Sequence, residues 1–231
     1  MIIFGIDLVL LIPALMISAT PVLLAAIGEA VVEKSGVLNL GVEGMMITGA
    51  VIGFIIAVNT QIPIYGFICA AFAGALLSVI FAILTQYMMS NQVATGLGLT
   101  MVGLGLSALI GKPYEGIKSP TLTKLEIPIL SDIPILGPMI FSHDAIVYFS
   151  IFIIASVAFI IKKTRIGLIL RAVGENQDAA HALGYKVIRI RFIAIMFGGA
   201  TAGIGGAYIS CLLYTSDAAD EGLGVDLGGR R

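Results

Sequence analysis

His143 and His181 are the two histidines of this sequence, and each stands alone in a polar stretch. Catalysis would need more than that: a nucleophile beside a base, a pair of carboxylates in a cleft, or a cluster of metal ligands. Neither H-E-x-x-H nor G-x-S-x-G occurs. The one Gly-Lys pair, Gly111-Lys112, is followed by Pro113 and has Leu106 where a phosphate-binding loop requires its first glycine. Cys69 and Cys211 lie in separate apolar stretches and form no ligand or disulfide pattern. The chain therefore reads as a non-enzyme that binds no cofactor of its own.

Binding chemistry is better represented. Glu29, Asn39, Glu43, Asn91, Gln92 and Thr95 interrupt or flank long apolar runs, and polar groups at membrane depth are costly enough to be functional in many cases. Asn39, Glu43, Asn91, Gln92 and Thr95 are the candidates to line a route for a polar solute. The alternative is that Glu29 and Glu43 lie at helix ends in the head-group layer and that Asn91-Gln92 caps a turn. Glu33-Lys34 reads as a solvated pair.

A second constellation lies between Ala172 and Tyr185. Asn176 is a good N-cap, Asp178 suits the positive end of a helix dipole, and Gly184 suits a left-handed C-cap. The helix they bracket, about two turns, is too short to persist alone in water. Ala179, Ala180 and Leu183 would give it a small apolar face, fit either for a groove in a soluble partner or for lipid head groups.

These segments are held by elements that composition defines. The 231 residues are 58% hydrophobic and 12% charged, without Trp, and the mean hydropathy is +1.06. Soluble domains carry charge on about a quarter of residues, so lipid is the solvent for most of this chain. A net charge of -1 gives no basic excess for nucleic acid. Six apolar runs are long enough to span a bilayer as helices, near 6–28, 42–58, 62–90, 92–111, 145–161 and 192–213. The fold class expected is an all-α polytopic transmembrane bundle occupying 1–213. The first run has no basic leader before it and reads as a retained helix. The third is long enough to tilt or to emerge from the bilayer before a tight turn or kink at 90–92.

Lys162, Lys163, Arg165, Arg171, Lys186, Arg189 and Arg191 place seven of the thirteen Lys and Arg in one short segment, which therefore faces the cytoplasm. Alternation then puts 90–92 and 29–41 inside, and 112–144 and the N-terminus outside. For 29–44, Ser35-Gly36, Gly41 and Gly44 leave open a helix broken within the membrane. The pairs Gly199/Gly203, Gly198/Ala202 and Ala70/Gly74 read as helix-packing contacts. From Tyr214 to Arg231 the character changes to Gly, Asp and Arg, a polar tail that cannot span and that reads as non-native or disordered, leaving the chain incomplete at its C-terminus.

Several stretches carry a family likeness. Asp178-Ala179-Ala180, three further residues and Gly184 resemble the E-A-A-x-x-x-G cytoplasmic loop of ABC importer permeases, with Asp in place of the usual Glu. Glu29 to Met46, E-A-V-V-E-K-S-G-V-L-N-L-G-V-E-G-M-M, is similar to the signature near the second helix of permeases for nucleosides and simple sugars. Asn91 to Leu97 and the loop Ile133 to Pro138 resemble the nucleoside branch. The resemblance implies a multi-pass permease of the bacterial inner membrane. It implies a coupling loop of Glu175, Asn176, Asp178, Ala179, Ala180, Leu183 and Gly184 that docks on a cytoplasmic ABC ATPase, where ATP and Mg are used. It also implies a second permease subunit and an external solute-binding (lipo)protein, with nucleosides or a related small polar solute imported. Backbone freed at 29–44 would then meet ribose hydroxyls, and Asn91 or Gln92 the edge of a base. The rival expectations are an ion-coupled secondary transporter, with Glu43 as its titrating group, and a non-transporting membrane fragment.

Overall fold

The computed structural model describes residues 2–3, 6–118, 120, 122, 124–126 and 142–221, with side chains at 11–118, 120, 122 and 143–211. Their order is β1 (Ile2–Ile3), β2 (Ile6–Asp7), α1 (Leu8–Lys34), α2 (Val42–Thr60), α3 (Pro63–Ala82), α4 (Gln92–Gly111), β3 (Lys124–Glu126), β4 (Ser142–Asp144), α5 (Ala145–Lys163), α6 (Arg165–Glu175), α7 (Gln177–Ala182) and α8 (Val187–Glu221). β1 pairs with β2 and β3 with β4, both antiparallel. The loop Ile133 to Pro138 lies outside the described residues.

Among the described residues, six helical stretches are long and apolar enough to cross a membrane: Leu11–Lys34, Val42–Thr60, Pro63–Tyr87, Gln92–Tyr114, Ala145–Lys163 and Val187–Cys211. This is the all-α polytopic bundle that composition implied. Its outward faces carry large apolar side chains in the open, among them Phe72, Leu109 and Phe152, as expected where lipid rather than water is the surrounding medium.

α8 occupies the middle, packed on α1, α2 and α3, while α4 leans on α2 and α5 on α1. Apolar burial contributes little between helices already in lipid, so association depends on close backbone approach and van der Waals contact. The glycines of α8 provide it. Gly203 sits where three helices cross, and a Cβ there would collide with the carbonyl oxygen of Ala70 on α3; Gly49 of α2 abuts it from the other side. The small residues flagged in sequence as packing contacts are therefore the surfaces on which the bundle closes.

Two ends were extended relative to the apolar runs. α1 continues past residue 28 to Lys34, where Gly36 at φ +80° allows its stop: Gly36 N–H donates to Glu33 O at 2.9 Å and Val37 N–H to Val32 O at 3.4 Å. That is the paired bonding of a glycine-terminated helix, with Val32 and Val37 in one buried cluster. α8 begins at Val187 and its backbone stays helical to Glu221, into the stretch read as a polar tail. α3 ends in a π-helical turn, Ile83–Tyr87, and the chain reverses through Met88–Asn91, with Met89 at φ +54°.

The alternation of ends agrees with the sequence reading. The α1–α2 link and the α3–α4 turn meet the Lys/Arg-rich segment at one end of the bundle. At the opposite end Asn59 Nδ2 donates to Tyr114 Oη at 3.2 Å, joining α2 to the stretch after α4, and Tyr208 Oη donates to Asp144 Oδ2 at 3.3 Å.

Candidate functional site

The short helix between α6 and α8 forms as the sequence implied. Asn176 is extended at φ -148°, and its Oδ1 accepts from Asp178 N at 3.1 Å and Ala179 N at 3.0 Å. Gly184, at φ +86°, closes the other end: its N–H donates to His181 O at 2.9 Å and that of Tyr185 to Ala180 O at 3.1 Å. Both caps use local side-chain or backbone groups that would otherwise be unpaired in so short a helix.

One apolar face was expected from Ala179, Ala180 and Leu183, but the structure divides them. Ala180 is 2% exposed and packs inward against Val173 of α6 and Val187 of α8. Ala179 is exposed, and Leu183 is 75% exposed. Successive helical residues point about 100° apart, so 180 cannot share a face with 179 once it is anchored to the bundle. Glu175, Asn176, Asp178 and Gly184 are exposed. The outward surface of α7 is thus Ala179 and Leu183 framed by Glu175 and Asp178.

Asn176→Ala should loosen this cap by about 1 kcal/mol, the usual value of such a cap. Amide hydrogen exchange at Asp178 and Ala179 should quicken while α8 is unaffected. Unchanged protection at both amides would show that α7 does not depend on its cap.

The five solute-path candidates sit at helix termini rather than halfway along helices. Asn39 belongs to the α1–α2 link and is 1% exposed; its Oδ1 accepts from Gly41 N at 3.0 Å, and its N–H donates to Glu29 Oε1 at 3.1 Å. Glu29 therefore holds the link in place instead of standing free in the head-group layer. Glu43 is exposed in the first turn of α2, where a carboxylate favours the helix dipole. Asn91 caps α4, accepting from Val93 N at 3.0 Å and Ala94 N at 3.2 Å. Gln92 reaches across, its Oε1 accepting from Leu38 N at 2.9 Å, and Thr95 is half-buried one turn on. Within 29–44 only residues 35–41 lie outside the helices, a connector from α1 to α2 whose irregular backbone bonds side chains of α1 and α4.

Arg191 escaped the sequence reading as a site residue, having served there only as a charge in the loop count. Its Nε donates to Ser35 O and its Nη1 to Gln177 Oε1, each at 3.0 Å. Beside it Gly174 of α6 lies so close to Lys34 O and Gly36 that neither glycine has room for a side chain. A signal was available in sequence: Arg191 is a guanidinium opening an apolar span, where a charge has to find acceptors. A cavity of about 400 Å³ lies between these elements, lined by polar side chains, among them Gln86, Gln92, Gln177 and Arg191, and by the apolar Met89, Val187 and Ile188.

The described residues thus form a bundle of helices long and apolar enough to span a membrane, with a capped, outward-facing helix at its cation-rich end. The chain matches the family described as "Branched-chain amino acid transport system / permease component" over residues 11–228, and it belongs to that family. It is 36% identical over 213 residues to a guanosine ABC transporter permease protein of Bacillus subtilis, covering 85% of this chain and 66% of that one. It is 35% identical over 197 residues to a putative glucose ABC transporter permease protein of Haloferax volcanii, covering 84% and 60%. A nucleoside ABC transporter permease protein of Lactococcus lactis is 28% identical over 204 residues, covering 84% and 64%. The chain spans less than two thirds of the length of each of these relatives. No solved structure matches it.

Proposed function

We propose that the chain serves as the membrane-spanning subunit of an ABC importer of the bacterial inner membrane, moving nucleosides inward with energy from a separate ATPase. The observation that carries this reading is α7: a two-ended, fully capped helix anchored through Ala180, presenting Ala179 and Leu183 outward at the end where Lys and Arg concentrate. By the positive-inside rule that end is cytoplasmic. A small apolar knob with acidic flanks, held rigidly, suits a groove on a cytoplasmic partner. ATP and Mg belong to that partner. A second permease subunit would complete the pore, and an external solute-binding (lipo)protein would deliver the solute.

Glucose is the second reading for the solute, favoured by the 35% identity to the glucose-type relative, nearly equal to the 36% to the guanosine-type one. Uptake of radiolabelled guanosine into cells expressing the full transporter decides between them. Excess adenosine should suppress it at least tenfold and excess glucose should not. Uptake of glucose in place of guanosine would replace the nucleoside assignment. ATP-independent uptake abolished by an uncoupler would replace the ATPase-driven one with an ion-coupled carrier.

A further inference from the structure

The α1–α2 link is gripped from one side by the elements around the outward-facing helix and from the other by α4. On the first side, Arg191 bonds Ser35 O and Gln177 Oε1 at once, and Gly174 meets Gly36 backbone to backbone. On the second, Gln92 Oε1 accepts from Leu38 N at 2.9 Å, and Thr100 Oγ1 donates to Leu40 O at 3.3 Å. α4 packs backbone to backbone on α2 where Gly103 meets Gly44, but the rest of its surface is open: its spanning stretch is 17% buried, against 44% for that of α8, and its Gly98 and Gly105 have nothing within 4 Å of where a Cβ would be.

We infer that Arg191 is a positioning residue that ties α7 to the α1–α2 link, so that displacement of α7 by an ATPase is delivered to α4. The inference rests on the importer reading above. Guanidinium geometry suits the task, since its rigid planar donors engage two acceptors on different elements simultaneously, whereas an ammonium is a flexible point charge. A displacement can be passed on only by an element that has distinct arrangements favoured by the two states. α4 is the spanning helix, along with α5, that has the smallest buried share to lose in moving, and of the two it is the one the link holds.

The test uses proteoliposomes holding the complete transporter, with radiolabelled guanosine, or glucose if that is the solute taken up. Gln177→Ala removes one arm of the tie at an exposed position, and Arg191→Gln removes the dual donor. Both should retain the ATPase and its basal hydrolysis, while solute moved per ATP falls roughly tenfold, within the range of measured coupling between sites. Arg191→Lys should recover only part. Probes attached at positions 181 and 97, both exposed, should report an ATP-driven distance change in the parent that is lost in Gln177→Ala. Unaltered uptake per ATP in both variants would overturn the inference while leaving the importer reading intact. Should Arg191→Gln fail to accumulate, Gln177→Ala decides. A parent chain that retains no ATPase at all would overturn the importer reading and this inference with it.

Discussion

Gly203→Leu should leave little correctly folded protein. Gly203 is enclosed on two sides by backbone: Ala70 and Gly74 of α3 on one, Gly49 of α2 on the other. Overpacked side chains in a core typically cost about 1–3 kcal/mol, because neighbours shift to make room. Here the atoms in the way are main chain, so relief requires moving α2 or α3 away from α8 and opening every neighbouring contact. The cost should reach the upper end of that range, roughly 3 kcal/mol. Gly105→Leu on α4 is the control, since its site is open. Thermal unfolding in detergent and elution on size exclusion give the comparison. Gly105→Leu should behave as the parent, and Gly203→Leu should aggregate or melt far earlier; equal melting of the two would show that the α8 crossing is not close-packed.

That contrast marks what could be read from sequence. Apolar runs near the thickness of a bilayer located the six spans found among the described residues, because lipid imposes length and hydropathy on any helix that crosses it. Their ends were less legible. Glu29, Glu33 and Lys34 look like a loop on hydropathy, yet α1 continues through them to its stop at Gly36, because a helix ends where its caps are, not where lipid does. Likewise Arg189 and Arg191 hid the first turns of α8. The caps of α7 were readable since Asn176 and Gly184 act on their own neighbours in the chain. Gln92 and Arg191 were not, because each bonds a partner that is remote in sequence, and residue type alone cannot tell a solute ligand from a side chain that satisfies another segment's backbone. Asn39 and Gln92, two of the candidates for a solute route, also bond the backbone of the α1–α2 link.

Adjacent alanines of α7 should respond to the same substitution in opposite ways. Ala179→Glu places a carboxylate on an exposed position, where substitutions usually change stability by within about 0.5 kcal/mol. The permease should therefore fold and retain α7. Binding is another matter, since a charge at the centre of a small apolar contact must be desolvated without a partner, and Glu175 and Asp178 already supply negative charge nearby. Loss of ATPase affinity of about 100-fold, near 2.7 kcal/mol, is expected, comparable to removal of an interface hot spot. Ala180→Glu instead drives a carboxylate among Val173, Val187, Ile169 and Ile190. An uncompensated buried charge costs roughly 3 kcal/mol or more, which a helix of six residues cannot absorb, so α7 itself should detach. Both variants would then fail to hold the ATPase, for different reasons. Hydrogen exchange separates them: amides of Ala180 and Leu183 stay protected in Ala179→Glu and lose protection in the residue-180 variant. Undiminished ATPase retention by Ala179→Glu would sink the outward face of α7 as the docking surface. Protected amides in Ala180→Glu would show that α7 is held by something other than its Val173–Val187 anchor.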